Sequence, residues 1–329
     1  MRILFVDLEF DYGIESRGKN IIGHDGFKYS FEKLGHEVIP FYYDQYLPDT
    51  KPLQSALLKF ADKIKPDLIF FCLFKDQFEH ATLLELKSKY VTLNWFGDDQ
   101  WRFDTFTKHY ANDFTWCVTT DLYSVDKYVD IGQNQVVMSQ WAAIDSHNNK
   151  PQEIQYKHDV SFVGGFHPYR AWFINQLVKN GISVEVFGHG WPNGSLSPES
   201  MNQLFRESKI NLNISNSNSF DIRYLTSSIK ALILAIRSKK SNSQIKARNF
   251  EIPFFGGFQI SDYVPSLEAY FDIGNEVACY STPEEAALQI NYYLKNEELR
   301  EKVRLSGQQR ATNTHGYIHR FEKILEQIK

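Results

Sequence analysis

The chain has 329 residues, of which 43% are hydrophobic and 23% are charged, and this composition excludes a disordered or fibrous protein. Its 36 Lys and Arg against 40 Asp and Glu give a formal net charge of -4, which argues against a general nucleic-acid binder. The length suffices for two domains with separate cores. Aromatic residues make up 15%, and composition alone leaves open whether they fill cores or form platforms for sugars and bases.

The cysteines and the N-terminal residues bear on the compartment. Cys72, Cys117 and Cys279 are odd in number and far apart in the sequence, so we expect buried free thiols. Residues 1–10 carry acidic side chains within a short apolar run, which indicates a strand and not a signal peptide. No uncharged stretch approaches the ~18 residues that a membrane span needs. The sequence therefore predicts a cytoplasmic protein.

Strands and helices alternate along the first part of the chain, as in a parallel, doubly wound α/β sheet. The predicted strands cover residues 2–8, 36–41, 67–74, 91–96 and 116–119. The predicted helices cover residues 27–34, 53–64, 80–89 and 124–130. The first of these helices ends before Gly35, a residue type that commonly caps helices.

A polar stretch at residues 146–157 predicts a linker, after which the alternation starts again. The predicted strands are 159–163, 184–187, 210–214 and 257–260, and the predicted helices are 168–180, 200–207, 244–254, 283–295 and 297–310. We thus predict Rossmann-like domains over residues 1–150 and 158–310, and a helix in residues 311–329 that packs back on the first domain. Two such domains imply a cleft, and ligands favour the carboxyl ends of parallel strands.

The first candidate site follows a predicted strand of the second domain. Gly164 and Gly165 come directly after the strand, His167 precedes the next helix, and Arg170 lies in its first turn. Glycines allow close backbone approach to a phosphate, and a helix N-terminus favours an anion. The alternative is a plain tight turn between strand and helix.

A second glycine-rich segment also follows a strand. It contains Gly188, His189 and Trp191. Flat side chains at a strand end are typical of a loop that packs on a base or sugar ring. A surface loop with one buried Trp explains the same pattern equally well.

The third candidate combines two charged residues with a pair of glycines. Arg248 and Glu251 are three residues apart and share one face of a predicted helix, which stops at Gly256 and Gly257. A carboxylate there can accept hydrogen bonds from a ribose diol, and an Arg can meet a diphosphate. The alternative is an exposed ion pair worth about 0.5 kcal/mol.

In the first domain, adjacent acids lie among aromatics just past a strand. Asp98 and Asp99 are flanked by Trp95 and Trp101. This pattern indicates a sugar-hydroxyl site or a general base, with Asp98 as the first choice of base. Paired carboxylates also bind divalent cations, and an Asp at this place commonly caps a helix.

A loop between the first strand and the first helix adds two further candidates. His24 precedes the helix and is the second choice of general base, since its ordinary pKa suits proton transfer. Tyr12 is expected at a strand end, facing the cleft. A single His is more often structural.

The segment from Ile222 to Lys240 is first apolar and then basic. The pattern favours a packed helix with a solvated end. The alternative is a peripheral contact with an anionic membrane surface, which for a cytoplasmic protein means the inner face of the membrane.

Five pieces of the C-terminal sequence occur in an order that resembles a known family. They comprise residues 244–258, the segments that begin at Pro265, Gly274 and Pro283, and the tail from His315 to Arg320. The chain is similar here to the CgeB-like branch of the group 1 glycosyltransferases, most sharply over residues 244–320 and more faintly over 67–143. The resemblance implies the GT-B architecture, in which two Rossmann-like domains face a cleft and the second holds most of the donor nucleotide.

The resemblance also implies roles for the candidate residues of the second domain. Glu251 would hold the donor ribose, Arg248 would lie near the diphosphate, and Gly256 and Gly257 would let the backbone approach the donor. Beside the phosphates would lie Gly164, Gly165 and Arg170. Near the base would lie Gly188 and His189. Retaining relatives place a second Glu where this chain has Ser243, so the stereochemistry of transfer is not implied.

We therefore predict a metal-independent glycosyltransferase of the hexosyltransferase type that needs no cofactor. It would move a sugar from a nucleotide sugar to a hydroxyl of a carbohydrate, lipid-linked or protein acceptor in the cleft, for surface polysaccharide, glycolipid or glycoprotein assembly. Nucleic acid is not an expected partner. One alternative is a nucleotide-sugar epimerase or hydrolase of the same fold, and another is a non-catalytic spore-coat or surface-assembly protein.

Overall fold

The computed structural model describes residues 1–147, 154–215, 221–238, 240 and 244–328. The chain forms two compact units: unit 1 comprises Met1–Ser146 and Tyr317–Lys329, and unit 2 comprises His147–Gly316. The linker predicted at residues 146–157 lies partly outside the described residues, as does Ser243. Each unit is built around a parallel sheet of its own.

Among the described residues, unit 1 contains a six-stranded parallel sheet in the order β2-β1-β3-β4-β5-β6. The strands are β1 Arg2–Asp7, β2 Glu37–Tyr42, β3 Leu68–Phe71, β4 Val91–Phe96, β5 Trp116–Thr119 and β6 Val136–Met138. The last strand was not predicted, because three residues at a sheet edge carry too short a hydrophobic pattern. The chain runs from β1 to β2 and then crosses to β3 on the other side of β1. The topological switch point of this sheet is therefore at β1 and β3.

Helices cover both faces of the unit 1 sheet. They are α1 Tyr29–Lys33, α2 Lys51–Ile64, α3 His80–Lys89, α4 Asp99–Arg102, α5 Lys108–Tyr110 and α6 Val125–Asp130, with π-helices at Ile22–Lys28 and Phe103–Thr107. Because strand side chains alternate between faces, Leu4 and Val6 join one core, and Ile3 and Phe5 join the other.

The second of these cores includes the last helix of the protein, Tyr317–Gln327, which is labelled α14 below. Phe321 of α14 is fully buried and its ring contacts those of Phe27 and Phe31, with centroid distances of 5.3 and 4.3 Å. The Tyr317 backbone N–H also donates to the Ala143 carbonyl at 3.1 Å. Unit 1 is therefore completed by residues that follow unit 2 in the sequence.

Unit 2, in the part of it that the structure describes, has a five-stranded parallel sheet in the order β11-β10-β9-β7-β8. The strands are β7 His158–Val163, β8 Glu185–Phe187, β9 Ser208–Asn213, β10 Gln259–Asp262 and β11 Ala278–Tyr280. The helices are α7 Pro168–Lys179, α8 Pro198–Glu207, α9 Ile222–Leu225, α10 Ile229–Arg237, α11 Ala247–Phe254, α12 Pro283–Lys295 and α13 Glu297–Thr314. Its switch point lies between β7 and β9, because β8 is on one side of β7 and β9 on the other.

The strand β11 was not predicted, and two further segments of unit 2 differ in division or bounds from the sequence-based prediction. The apolar and basic segment from Ile222 onward forms two helices, because Ser228 begins a new one: its side chain accepts a hydrogen bond from the Ala231 N–H at 3.1 Å. The strand β10 begins later than predicted, because Gly256 adopts a positive φ of 89° that ends α11 and turns the chain before the strand.

Candidate functional site

Arg170 connects the two strand ends at the switch point of unit 2. Its Nη1 donates to the Gly165 carbonyl after β7 at 2.9 Å, and its Nε and Nη2 donate to the Ile214 carbonyl after β9 at 3.0 and 2.7 Å. Burial lowers the pKa of Arg170 to about 10, and it stays protonated at neutral pH. Three of its five N–H donors hold backbone carbonyls, so Arg170 positions the loops, and its predicted contact with phosphates stays a prediction.

The two glycine-rich segments of unit 2 pack directly on each other. Gly188 has a φ of 137°, and a Cβ there would overlap the Gly164 carbonyl oxygen. The Phe166 N–H donates to the His189 carbonyl at 2.8 Å, and the Trp191 indole N–H donates to the Gly164 carbonyl at 2.9 Å. Packing within and between the two loops therefore accounts for Gly164 and Gly188 without any ligand.

The outer surface of this loop pair is different. A Cβ at Gly165 would meet no atom of the described residues within 4 Å, so packing among these residues does not require a glycine at this exposed position. His189 is exposed as well, and Trp191 packs against the exposed Phe166 at a centroid distance of 5.0 Å. These groups are available to a ligand at the carboxyl edge of the sheet.

His167 caps the helix that follows. Its Nδ1 accepts a hydrogen bond from the Tyr169 N–H at 3.3 Å at the start of α7. Burial, together with the charges of Arg170 and Lys240, lowers the pKa of His167. The imidazole is therefore neutral near pH 7, which suits its role as a hydrogen-bond acceptor.

Polar side chains attach the N-terminus of α11 to the carboxyl ends of β9 and β10. The Lys246 N–H donates to Asn249 Oδ1 at 3.0 Å, and Asn249 Nδ2 donates to Ser261 Oγ at 3.1 Å. Asn213 Nδ2 donates to the same hydroxyl, also at 3.1 Å. Sequence analysis missed this network, although a polar residue at the end of an apolar strand run is the available signal.

The network holds Arg248 and Glu251 at the same edge. Arg248 Nη1 lies 2.6 Å from Glu251 Oε2, and their side chains are only 24% and 12% exposed. This is not the exposed ion pair of the alternative interpretation. Arg248 also contacts Met201 Sδ at 2.7 Å and lies over the Phe205 ring at 5.3 Å from its centroid.

Part of the Arg248 and Glu251 pair stays open for other partners. Among the described residues, Glu251 Oε1 has no hydrogen-bond partner, and the same holds for Nε and Nη2 of Arg248. Arg170 is bonded to the Ile214 carbonyl after β9, and Arg248 lies in the first turn of α11, which is bonded to the end of β10, so both residues lie at one edge of the sheet. Glu251 can accept hydrogen bonds from hydroxyl groups of a ligand, and the neighbouring Arg248 can neutralise an anionic group of the same ligand.

Gly256 and Gly257 are explained by packing. A Cβ at Gly257 would lie 2.6 Å from Asn211 Nδ2 and 3.0 Å from Ile252 Cγ2, and the Gly256 carbonyl accepts a hydrogen bond from Arg304 at 3.2 Å. The glycines thus allow close contact between α11 and the sheet. Their predicted approach to a donor is not needed to account for them.

Asp7 marks the switch point of unit 1 and was not singled out from the sequence. It ends β1, is buried, and accepts hydrogen bonds from the Leu8 N–H at 2.7 Å and from Asn20 Nδ2 at 3.2 Å. Burial raises the pKa of Asp7 to about 8. Asp7 ends β1, Cys72 directly follows β3 and Asp98 follows β4, so these residues share the carboxyl edge of the parallel sheet.

His24 lies at the same end of β1, within the π-helix Ile22–Lys28. Its ring stacks on that of Tyr42 with centroids 5.1 Å apart, and the Tyr42 hydroxyl is 3.5 Å from Nδ1. Burial and the Lys19 charge lower the pKa of His24, which leaves the ring neutral near pH 7. A neutral imidazole is the form that a general base requires.

Asp98 and Asp99 have different environments. The Asp98 carbonyl accepts the N–H groups of Trp101 and Arg102 at the start of α4, and the Asp98 side chain makes no capping hydrogen bond. Asp99 is buried and accepts three hydroxyl hydrogen bonds, from Thr107 and Thr119 at 2.6 Å each and from Tyr128 at 2.7 Å. Burial raises the pKa of Asp99 to about 6. This carboxyl therefore holds core elements together, and the contact of Asp99 with an acceptor in the cleft stays a prediction.

The predicted aromatic residues of unit 1 also separate. Trp95 is buried against Phe27 and Phe321, because strand alternation turns its ring into the core, and its contact with a ligand in the cleft stays a prediction. Tyr12 is exposed, with a positive φ of 55°, and its ring lies edge-on to Phe74. Trp101 is partly buried and adjoins the Arg102 guanidinium.

Within the described ranges, no group of three or more His, Cys, Asp or Glu side chains is arranged to hold a metal ion. No helix of the described part of the chain combines the length and the apolar character that a membrane span requires. Cys72, Cys117 and Cys279 are free thiols.

Comparisons with known proteins agree with this architecture. Residues 170–326 match a family model described as glycosyl transferase-like. Sucrose-phosphate synthase from Thermosynechococcus elongatus has a TM-score of 0.67 at 9% identity, over 100% of this chain and 99% of that one. HepE from Anabaena, solved with UDP, has a TM-score of 0.64 at 12% identity, again over 100% and 99%.

A third structure with this architecture is a putative UDP-N-acetylglucosamine 2-epimerase from Listeria monocytogenes. Its TM-score is 0.58 at 11% identity, over 100% of this chain and 95% of that one. A comparison with curated protein sequences gives no match.

The protein has the GT-B fold, as predicted: two parallel-sheet α/β units of six and five strands, with the topology of glycosyltransferase structures over the whole chain. The family match supports a glycosyltransferase family for its C-terminal part.

Proposed function

We propose that this protein is a glycosyltransferase that moves a sugar from a nucleotide sugar to an acceptor hydroxyl. The observation that carries the proposal is the largely buried Arg248 and Glu251 pair, which a polar network holds at the carboxyl edge of the unit 2 sheet. The match of residues 170–326 to a glycosyl transferase-like family supports it. The motifs of residues 244–320 further favour the CgeB-like branch.

A nucleoside diphosphate sugar suits the charges and acceptors of this edge. Glu251 Oε1 would accept the ribose hydroxyls, and Arg248 would neutralise the leaving diphosphate. The exposed Gly165 and the N-terminus of the twelve-residue α7 would add backbone N–H groups and a favourable dipole. With these groups the leaving charge needs no bound metal, so we propose metal-independent hexosyl transfer.

The acceptor side is assigned to unit 1. Asp98 is the proposed base, since it lies between the carboxyl end of β4 and the start of α4, and His24 is the second choice. HepE, which has the same fold, has been solved with UDP and glucose and with UDP-glucose. A sugar acceptor and a uridine donor are therefore the first pair to test. A cytoplasmic role in polysaccharide, glycolipid or glycoprotein assembly remains a prediction.

A thermal-shift screen with UDP, GDP, ADP, TDP and CMP sugars tests the proposal, because a ligand that binds the folded protein raises its melting temperature. We expect one nucleoside diphosphate series to stabilise the protein, and sugar transfer when a carbohydrate acceptor is added. Absence of binding by every nucleotide would overturn the proposal and favour a non-catalytic assembly protein.

The second candidate is a nucleotide-sugar epimerase or hydrolase. The observation in its favour is the structural likeness to the putative 2-epimerase from Listeria monocytogenes. Product analysis without an acceptor separates the two functions. Rapid epimerisation or hydrolysis of the bound nucleotide sugar would favour the second candidate, whereas turnover only with an acceptor supports the transferase.

A further inference from the structure

The helix α10 of unit 2 presents its largest apolar side chains to solvent. Ile229 and Ile236 are 80% and 76% exposed, and Leu232 and Ile233 are exposed as well. These four residues recur at positions i, i+3, i+4 and i+7, so they form one continuous stripe along the helix. The small Ala231, on the opposite side, is the residue that is buried. A surface helix usually buries its large apolar residues, whereas α10 exposes them and buries an alanine.

Contacts of the preceding helix α9 hold this orientation. Tyr224 is buried, and its ring packs against Tyr169 and Trp172 with centroid distances of 5.3 and 5.7 Å. Arg223 forms ion pairs at 2.6 Å with both Asp221 and Glu284. These contacts attach the pair of helices to unit 2 and leave the stripe outward.

Cations border the stripe. On a helical projection Lys230 and Arg237 lie together on one flank of it, and Lys240 follows the helix. The sequence from 222 to 240 contains no Asp or Glu. An apolar stripe with basic residues along its border is the pattern of helices that lie in the interface of an anionic lipid bilayer.

We propose that the α10 stripe, Ile229, Leu232, Ile233 and Ile236, docks on an anionic membrane surface. Charge favours this occupant over a second copy of the chain. Two copies joined through the stripe would place Lys230 and Arg237 at the border of the interface with no acidic residue of the segment 222–240 to pair with them, and unpaired or like charges at an interface are unfavourable. Anionic headgroups instead complement these cations. The inference is independent of the proposed function and holds for any activity of the two units.

Vesicle sedimentation tests the proposal with phosphatidylcholine alone and with phosphatidylcholine mixed with phosphatidylglycerol. We expect the wild-type protein to sediment with the mixed vesicles, and less so as salt is raised. The I233Q/I236Q variant should lose at least about tenfold in partition constant, because two apolar side chains no longer enter the bilayer. The K230Q/R237Q variant should lose about fivefold per cation on anionic vesicles only.

The control is L288Q, which removes an apolar side chain that is 71% exposed on a different helix, α12. It should bind vesicles like the wild type, and all variants should keep the wild-type melting temperature. The proposal is overturned if the wild type binds neither vesicle, or if L288Q loses as much as I233Q/I236Q. It is equally overturned if I233Q/I236Q abolishes a dimer of a protein that ignores vesicles. Nucleoside diphosphate binding by the same variants reports separately on the proposed function.

Discussion

Glu251 and Asp98 have different expected roles, and two substitutions separate them. Glu251→Gln removes the charge that pairs with Arg248 and one acceptor for a ribose diol, so we expect nucleoside diphosphate affinity to fall by about tenfold or more. Asp98→Asn should leave that affinity unchanged and lower turnover, because a base acts on the acceptor. Isothermal calorimetry and a transfer assay measure the two effects.

The control for this pair is Glu298→Gln, which changes an exposed carboxylate of α13 outside the site. It should alter neither quantity. Wild-type affinity in the Glu251→Gln protein would remove the ribose role of this residue. An Asp98→Asn protein with normal turnover would transfer the role of base to His24 or to a group outside the predicted set.

A local sequence motif does not determine the direction or the partners of its side chains. Asp98 and Asp99 look equivalent in sequence, yet three hydroxyls and burial commit Asp99 to the core. Arg170 was predicted beside the phosphates from its place in the first turn of a helix and from the family resemblance, and nothing in the sequence indicated that its donors hold the Gly165 and Ile214 carbonyls. Side-chain direction depends on partners far away in sequence, which a local motif does not contain.

At the scale of elements, the packing of the loops after β7 and β8 distinguishes a structural glycine from one that is open to a ligand. Gly188→Ala combines a positive φ with overlap onto the Gly164 carbonyl, so we expect it to destabilise unit 2 by about 1–3 kcal/mol or more. Gly165→Ala meets open space and should keep stability within about 0.5 kcal/mol. If Gly165 faces the donor, the added methyl group should still weaken nucleotide binding. Denaturant unfolding and calorimetry distinguish the two glycines, and equal effects on both quantities would contradict the assignment.

The last helix makes a second prediction at this scale. Phe321→Ala should destabilise unit 1 by about 3–5 kcal/mol, because it leaves a cavity among Phe27, Phe31, Phe70 and Trp95. Glu322→Ala, an exposed neighbour on the same helix, should change stability by less than about 0.5 kcal/mol. Urea unfolding checks both, and a small effect of Phe321→Ala would show that α14 contributes little to the unit.

Most elements could be predicted because strand and helix periodicities are local. The near-continuous apolar run around β3 and the helical spacing of α2 needed no tertiary information. The short edge strands β6 and β11 were missed, since three residues stand out only through pairing with a neighbour.

For the whole molecule, buried acids set the dependence of stability on pH. Burial raises the pKa of Asp7 to about 8, of Asp262 to about 7 and of Asp99 to about 6. In the unfolded chain each ionises near its ordinary value of 3.8, whereas the folded protein retains the proton. The unfolded state then binds fewer protons, so stability falls as pH rises from about 4 through these pKa values.

Asp7→Asn isolates one of these groups. The stability difference between wild type and Asp7→Asn should change by on the order of 1.4 kcal/mol per pH unit between about pH 5 and pH 7, with the wild type losing ground as pH rises. Urea unfolding at a series of pH values measures it. A difference that is constant over this window would show that Asp7 ionises normally in the folded protein.

The return of α14 to unit 1 has a consequence for biosynthesis. The ribosome makes residues 1–146 first, but the aromatic face that Tyr317 and Phe321 cover stays bare until all of unit 2 has been translated. A nascent chain interrupted anywhere within unit 2 therefore exposes an apolar face of the unit 1 sheet, and such exposed surfaces are bound by chaperones and make a chain a target for proteases. Because the chain returns to unit 1 after unit 2, complete folding of unit 1 depends on complete synthesis of unit 2.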